Sequence, residues 1–262
     1  MIKLIVTDMD GTLLNSNKEL SPKFESIYKQ LRDKGIRFAV ASGRPHYSLR
    51  PQFEHFTHDI IFIGDNGAYI GTQPEPLISG SFTNSEMDEI INTYRKIAGV
   101  DAVICTPHKP YTESDDADFI KKAKKYYPNI EMVDEAKKIN EQVLKVAICD
   151  SLTWQENSGK IWNRFEEKHV VAPSSNVWID LMPLGVNKGA AVAHIQQLLG
   201  VKKEETMVFG DFHNDIEMLQ MASHSYAMEN AHEDVKNVAQ FIAPSNDSNG
   251  VIQVIEEVVL KH

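Results

Sequence analysis

The sequence predicts an α/β fold: a doubly wound parallel sheet, Rossmann-like in its core, with an inserted α+β cap domain. Three observations predict it. Short apolar runs alternate with amphipathic helical stretches over residues 1–82, the same alternation returns over 185–262, and the segment between has its own rhythm. The chain of 262 residues is long enough for two domains with buried cores. The predicted boundaries are therefore 1–82 and 185–262 for the core and 83–184 for the insert, with connections of the βαβ kind in the core.

In the core, Ile2–Thr7 reads as a short strand, and Ser21-Pro22 as an N-cap followed by an N1 proline. Phe24, Ile27, Tyr28 and Leu31 repeat at one-face helical spacing, and Gly35 stops the helix. Phe38–Ser42 and Asp59–Gly64 follow as apolar runs with little alternation, as expected of strands covered on both faces. After the insert, Gly185–Gly200 reads as a helix, Glu205–Asp211 as a strand, Asn214–Ala222 as a helix and Ser225–Met228 as a strand, before a final amphipathic helix. In the insert, a helix from Ser85 carries Met87, Ile90, Ile91, Tyr94 and Ala98 on one face. A strand at Ala102–Thr106, a lysine-rich helix at Asp116–Tyr127 and strands at Ile130–Val133 and Val143–Cys149 come next. A helix carrying Trp154, Trp162 and Phe165 and two closing strands, the second Val177–Pro183, complete it.

Composition excludes several functional classes. A 42% hydrophobic, 24% charged chain is that of a folded globular protein. Thirty-seven acidic against twenty-seven basic side chains give a formal charge of -10, which repels nucleic acid and anionic membranes. Cys105 and Cys149 are too few for a disulfide framework and lack metal-ligand spacing, so a reduced cytoplasmic setting is expected. No signal peptide or membrane-spanning stretch is expected either, nor any obligate protein partner. The lysine run Lys121–Lys125 reads as a solvated helix face.

The chemistry lies at the predicted strand ends. In VTDMDGTLLN (Val6–Asn15), strand alternation would point Asp8 and Asp10 to one side, at the carboxyl edge where open α/β sheets bind ligands. Ser42, Gly43 and Arg44 end a second strand with a hydroxyl and amides that can approach an anion. Asp211, followed by Asn214 and Asp215, ends a third. Clustered carboxylates resist joint ionisation, and a divalent cation resolves the repulsion; hard oxygen ligands without paired His or Cys favour Mg2+. Lys188, near a helix start, offers a mobile positive charge beside backbone amides suited to phosphate. These groups predict a phosphoryl-transfer site.

Asp8–Thr12 (DMDGT), Ala41–Arg44 (ASGR), Lys188 and Gly210–Asp215 (GDFHND) resemble, in order and spacing, the four motifs of the haloacid dehalogenase-like hydrolase superfamily. The opening DMDGTLLNSNKELS, Asn66–Ala68 (NGA) and the large insert are most similar to its Cof-type sugar-phosphatase branch. The resemblance implies an Mg2+-dependent phosphatase acting on a small phosphorylated metabolite, a sugar phosphate, with phosphorylated cofactors as the alternative. It implies that Asp8 is the nucleophile, that Asp10 is the general acid and base, and that Mg2+ is held by Asp8, the Asp10 backbone carbonyl, Asp211 and Asp215. It also implies phosphate contacts from Met9, Ser42, Gly43, Lys188 and Asn214, with Thr12 supporting the loop and the cap closing over the site to set specificity. Arg44 is balanced between substrate contact and a structural salt bridge, while His46 and His213 read as surface or structural residues. Met228–Ala231 reads MENA where the family often has Gly-Asn-Ala, so Asn230 is left out of the expected site. Alternatives are a phosphomutase of the same fold and a non-catalytic phospholigand sensor. A P-type ATPase would require membrane helices and Thr in place of Asp10.

Overall fold

The computed structural model describes residues 1–56, 59–71 and 75–261, and the chain divides into two compact units. The first comprises Met1–Gly43, Leu49–Leu77 and Asn187–His262; the second comprises Arg44–Ser48 and Ile78–Val186. In chain order the strands are β1 (Leu4–Asp8), β2 (Arg37–Ala41), β3 (Ile61–Gly64), β4 (Tyr69–Ile70) and β5 (Leu77–Ile78). The second unit contributes β6 (Val100–Cys105), β7 (Pro110–Thr112), β8 (Glu131–Met132), β9 (Lys145–Asp150), β10 (His169–Pro173) and β11 (Trp178–Pro183). The chain returns as β12 (Thr206–Gly210), β13 (His224–Met228) and β14 (Phe241–Ala243).

The first sheet runs β14-β13-β12-β1-β2-β3-β4-β5. Its central pairings are parallel, with Leu4 to Asp8 registered against Arg37 to Ala41 and Leu4 to Thr7 against Thr206 to Phe209. Every residue of β1, β3 and β12 is buried, which explains their unbroken apolar runs. From β1 the strand order runs one way to β2 and β3 and the other way to β12, β13 and β14. The reversal leaves a crevice at the carboxyl ends of β1 and β12, the place where such sheets bind ligands. The fold class is thus α/β with a doubly wound sheet, and β4, antiparallel to β3, makes it mixed.

Helix Phe24–Asp33 buries Phe24, Ile27, Tyr28 and Leu31 against the core. It starts later than Ser21-Pro22 suggests: the Ser21 hydroxyl accepts from the Lys23 amide and its carbonyl from the Phe24 amide, closing a turn before the helix. After β12, a 3-10 turn at His213–Asp215 leads into helix Ile216–Gln220. Helix Glu233–Val238 and edge strand β14 complete this side. The last helix, Gly250–Ile255, widens into a π-helical segment at Glu256–Leu260.

The second unit is a six-stranded sheet ordered β10-β11-β9-β6-β7-β8, antiparallel apart from β7 with β8. Alternate residues of β9 divide between two clusters. Val146 and Ile148 join Ile90, Ile91 and Trp162, while Ala147 and Cys149 join Phe119, Tyr127 and Trp178. Helix Asn84–Tyr94 starts one residue before Ser85, capped by Thr83: the Thr83 hydroxyl accepts from the Glu86 amide, and the Glu86 carboxylate accepts from the Thr83 amide. It ends at Tyr94, so Ala98 falls outside it. The expected helix bearing Trp154, Trp162 and Phe165 is instead a turn at Trp154, a four-residue helix Gly159–Trp162 and a 3-10 segment Asn163–Glu167. The Trp154 carbonyl accepts from the Ser158 and Gly159 amides, closing that turn. Cys105 and Cys149 are both buried.

Candidate active site

The carboxyl ends of β1 and β12 bring Asp8, Asp211 and Asp215 together, with one oxygen of each within 4.8 Å of the others. Between them lies Lys188, fully buried at the start of helix Lys188–Leu199. Its ammonium donates to Asp8 Oδ1 at 2.6 Å and to Asp215 Oδ1 at 2.7 Å. The mobile lysine expected from the sequence is therefore a buried one held by two carboxylates. Asp215 Oδ2 accepts from the Asp211 and Phe212 amides at 2.9 and 3.1 Å, so Asp215 shapes the turn that carries Asp211.

The loop after β1 approaches Asp211 closely. The Thr12 hydroxyl donates to Asp211 Oδ1 at 2.7 Å. Gly11 has φ +87°, and a Cβ there would lie 2.5 Å from Asp211 Oδ2. Only glycine combines that left-handed backbone with so close an approach. Strand β1 ends at Asp8, and Asp10 forms a bridge with Leu14, so strand alternation does not extend to Asp10. The Asp10 carboxylate, part-exposed, pairs with Lys18 at 3.0 Å and stands outside the three-carboxylate group. The Met9 carbonyl accepts from the Leu14 amide at 2.9 Å, closing the turn.

At the end of β2, Ser42 is buried, its amide donating to the Ile63 carbonyl and its carbonyl accepting from the Asn66 amide. Asn66 Oδ1 would lie 3.2 Å from a Cβ at Gly43, and it accepts from the Asn214 side-chain amide at 3.0 Å. Ser42, Gly43, Asn66 and Asn214 are thus linked through Asn66. Arg44 and His46 fall in the second unit, with Arg44–Ser48.

Burial, reinforced by Asp215 and Asp211, pushes the Asp8 carboxyl well above its usual range despite the neighbouring lysine. Burial likewise raises Asp211 to about 6, opposed by the Thr12 hydrogen bond. For Lys188, burial alone would favour the neutral amine, yet Asp215 and Asp8 together outweigh it and raise the pKa. One lysine against three converging carboxylates leaves negative charge to be compensated, and every donor in the set is a hard oxygen. A small divalent cation of the Mg2+ type fits these residues.

Two residues of the site region escaped the sequence reading. Lys18 pairs with Asp10 across a turn in which Lys18 itself has φ +65°, and an exposed lysine in a polar loop carries no signal of such a pairing. Asn230, left out of the expected site, donates its side-chain amide to the Gly11 carbonyl at 2.8 Å and accepts from the Asn246 amide at 3.0 Å. The MENA stretch was the available signal.

The α/β sheet carries a carboxylate–lysine cluster at its topological switch point, and comparison with known proteins specifies the class. A family model for haloacid dehalogenase-like hydrolases matches residues 5–255. The chain is 33% identical, over all of its length and 97% of the relative's, to 5-amino-6-(5-phospho-D-ribitylamino)uracil phosphatase YbjI of Escherichia coli. A Streptococcus mutans crystal structure, SMU.1108c, superposes with TM-score 0.86 at 31% identity, covering 99% of this chain and all of that one. A crystal structure from Eubacterium rectale superposes with TM-score 0.90 at 27% identity, covering 98% and 99%. The chain belongs to the haloacid dehalogenase-like hydrolase family, in its Cof-type branch, and is a phosphatase of the phosphoric monoester hydrolase type.

Proposed function

We propose that the chain is an Mg2+-dependent phosphatase that hydrolyses small phosphorylated metabolites of the sugar or polyol phosphate class through an aspartyl-phosphate on Asp8. The observation that carries the reading is the buried triad in which Lys188 bridges Asp8 and Asp215. A carboxylate attacks phosphorus only if held in position and relieved of repulsion from the incoming dianion, and a fixed ammonium 2.6 Å away provides both.

Asp8 Oδ attacks the phosphorus atom as the ester P–O bond breaks. The Asp10 carboxylic acid gives its proton to the departing alkoxide and, as the carboxylate, then takes one from the water that cleaves the acyl-phosphate, returning Asp8 and releasing phosphate. Ser42, the Gly43 and Met9 amides, Lys188 and Asn214 hold the phosphoryl oxygens. Asp8, Asp211, Asp215 and the Asp10 carbonyl would hold Mg2+, with both Asp215 oxygens also committed to Lys188 and backbone amides. When bound, the ion neutralises charge on the transferring group and the carboxylates. Thr12 and Asn230 keep the loop against Asp211.

The sugar-like leaving group is supported by the E. coli relative, whose named substrate carries its phosphate on a ribityl chain. The test is a phosphate-release screen with Mg2+ over hexose and pentose phosphates, polyol phosphates including 5-amino-6-(5-phospho-D-ribitylamino)uracil, nucleotides and phosphorylated cofactors. The expected result is turnover concentrated among sugar and polyol phosphates, abolished by Asp8→Asn and by chelation of Mg2+. Turnover confined to nucleotides or cofactors would overturn the substrate class, and activity retained in Asp8→Asn would overturn the mechanism.

A further inference from the structure

Away from the buried carboxylates, a second cluster of metal-ligating side chains lies on the first unit: His213 Nε2, His232 Nδ1 and an Asp234 carboxylate oxygen. His213 Nε2 is 3.1 Å from Asp234 Oδ2, His232 Nδ1 is 3.3 Å from the same oxygen, and the two imidazole centroids are 4.3 Å apart. Ligand atoms about 2.0–2.1 Å from a tetrahedral Zn2+ stand about 3.4 Å from one another. Two edges of such a polyhedron are thus already close to their required length.

The two ring nitrogens converge on the same carboxylate, so an ion at the centre would contact all three ligand atoms. His232 Nδ1 also accepts from the Asp234 backbone amide at 3.3 Å, a hydrogen bond that a coordinated ion would replace. The side chains are 45%, 48% and 62% exposed, which leaves room for water to complete the coordination. Two imidazoles with one carboxylate suit borderline transition metals and disfavour Mg2+, which takes oxygen ligands.

We propose that His213, His232 and Asp234 form a surface site for a divalent transition-metal ion of the Zn2+ class, separate from the Asp8–Asp211–Asp215 group. Such an ion cross-links the loop between Asp211 and Asp215 to the start of helix Glu233–Val238. The proposal stands independently of the phosphatase mechanism, since it concerns binding alone.

The test is competition for Zn2+ between a chromophoric chelator and the full chain, in excess Mg2+ to occupy the hard-oxygen site. Wild type is expected to take one equivalent. His213→Ala and His232→Asn are each expected to weaken that equivalent tenfold or more; Asn at 232 keeps a side-chain acceptor for the Asp234 amide, so the helix start is preserved. Circular dichroism verifies that both variants fold. Failure of wild type to bind, or a loss below tenfold in both variants, overturns the proposal.

Discussion

Gly11→Ala tests the packing of the site most sharply. The new methyl would sit 2.5 Å from Asp211 Oδ2, where ordinary contact begins at 3.4 Å, so loop and carboxylate must separate by roughly 1 Å. Asp211 is also held by Thr12 at 2.7 Å, and the Gly11 carbonyl by Asn230 at 2.8 Å, so neither side moves without breaking a hydrogen bond. A displacement of about 1 Å in a catalytic constellation costs on the order of 10²-fold in rate. Placing alanine at φ +87° adds about 1–2 kcal/mol of backbone strain. Gly35→Ala is the matched control: φ is +72° and no atom lies within 4 Å of its Cβ, so it bears the strain without the clash. Both variants gain the same unfolded-state entropy on losing glycine, and that contribution cancels between them. With an aryl phosphate and Mg2+, kcat/KM should fall about 10²-fold in Gly11→Ala and stay within twofold in Gly35→Ala. Denaturant titrations should show Gly11→Ala as the less stable. Equal activities in the two variants would refute the argument that glycine is required there for close approach to Asp211.

Two further predictions concern buried charge. Lys188→Met leaves Asp8 and Asp215 facing each other without their cation, and should abolish turnover and cost about 3–5 kcal/mol in urea unfolding; a loss under about 1 kcal/mol would contradict the bridging role. In the second unit, His169 lies between Phe82 and Phe165, and among the described residues neither ring nitrogen has a hydrogen-bond partner. Burial lowers its pKa below 6.5, so its contribution to stability is complete above 6.5 and is lost as pH falls from there through the folded-state value. His169→Phe should flatten the stability profile below pH 6.5 and leave it unchanged above; an unaltered slope would refute the assignment.

The sequence made the central strands and the four motif positions legible because both are local patterns: buried parallel strands are unbroken apolar runs, and each motif sits at a strand or helix end. What escaped it is non-local. The bonds from Asn230 to Gly11 and from Thr12 to Asp211 join positions about two hundred residues apart, and nothing beside either residue announces the pairing. Edge strand β14 is three residues long with Phe241 and Ile242 exposed, too short for periodicity to register. The helix expected through Trp154 to Phe165 failed because apolar spacing alone cannot distinguish one helix from a turn followed by two short segments. Lys188 was legible as a residue of the site but not as a buried one, since its burial depends on Asp8 and Asp215 arriving from opposite ends of the chain.

In the proposed mechanism Asp8 carries the phosphoryl group. Acid quenching during turnover, followed by proteolysis and mass spectrometry, reads this directly. The prediction is a phosphoryl adduct on the peptide containing Asp8, sensitive to hydroxylamine as an acyl-phosphate is, and absent from Asp8→Asn. An adduct on any other residue, or turnover with no adduct at Asp8 under conditions that trap acyl-phosphates, would contradict it.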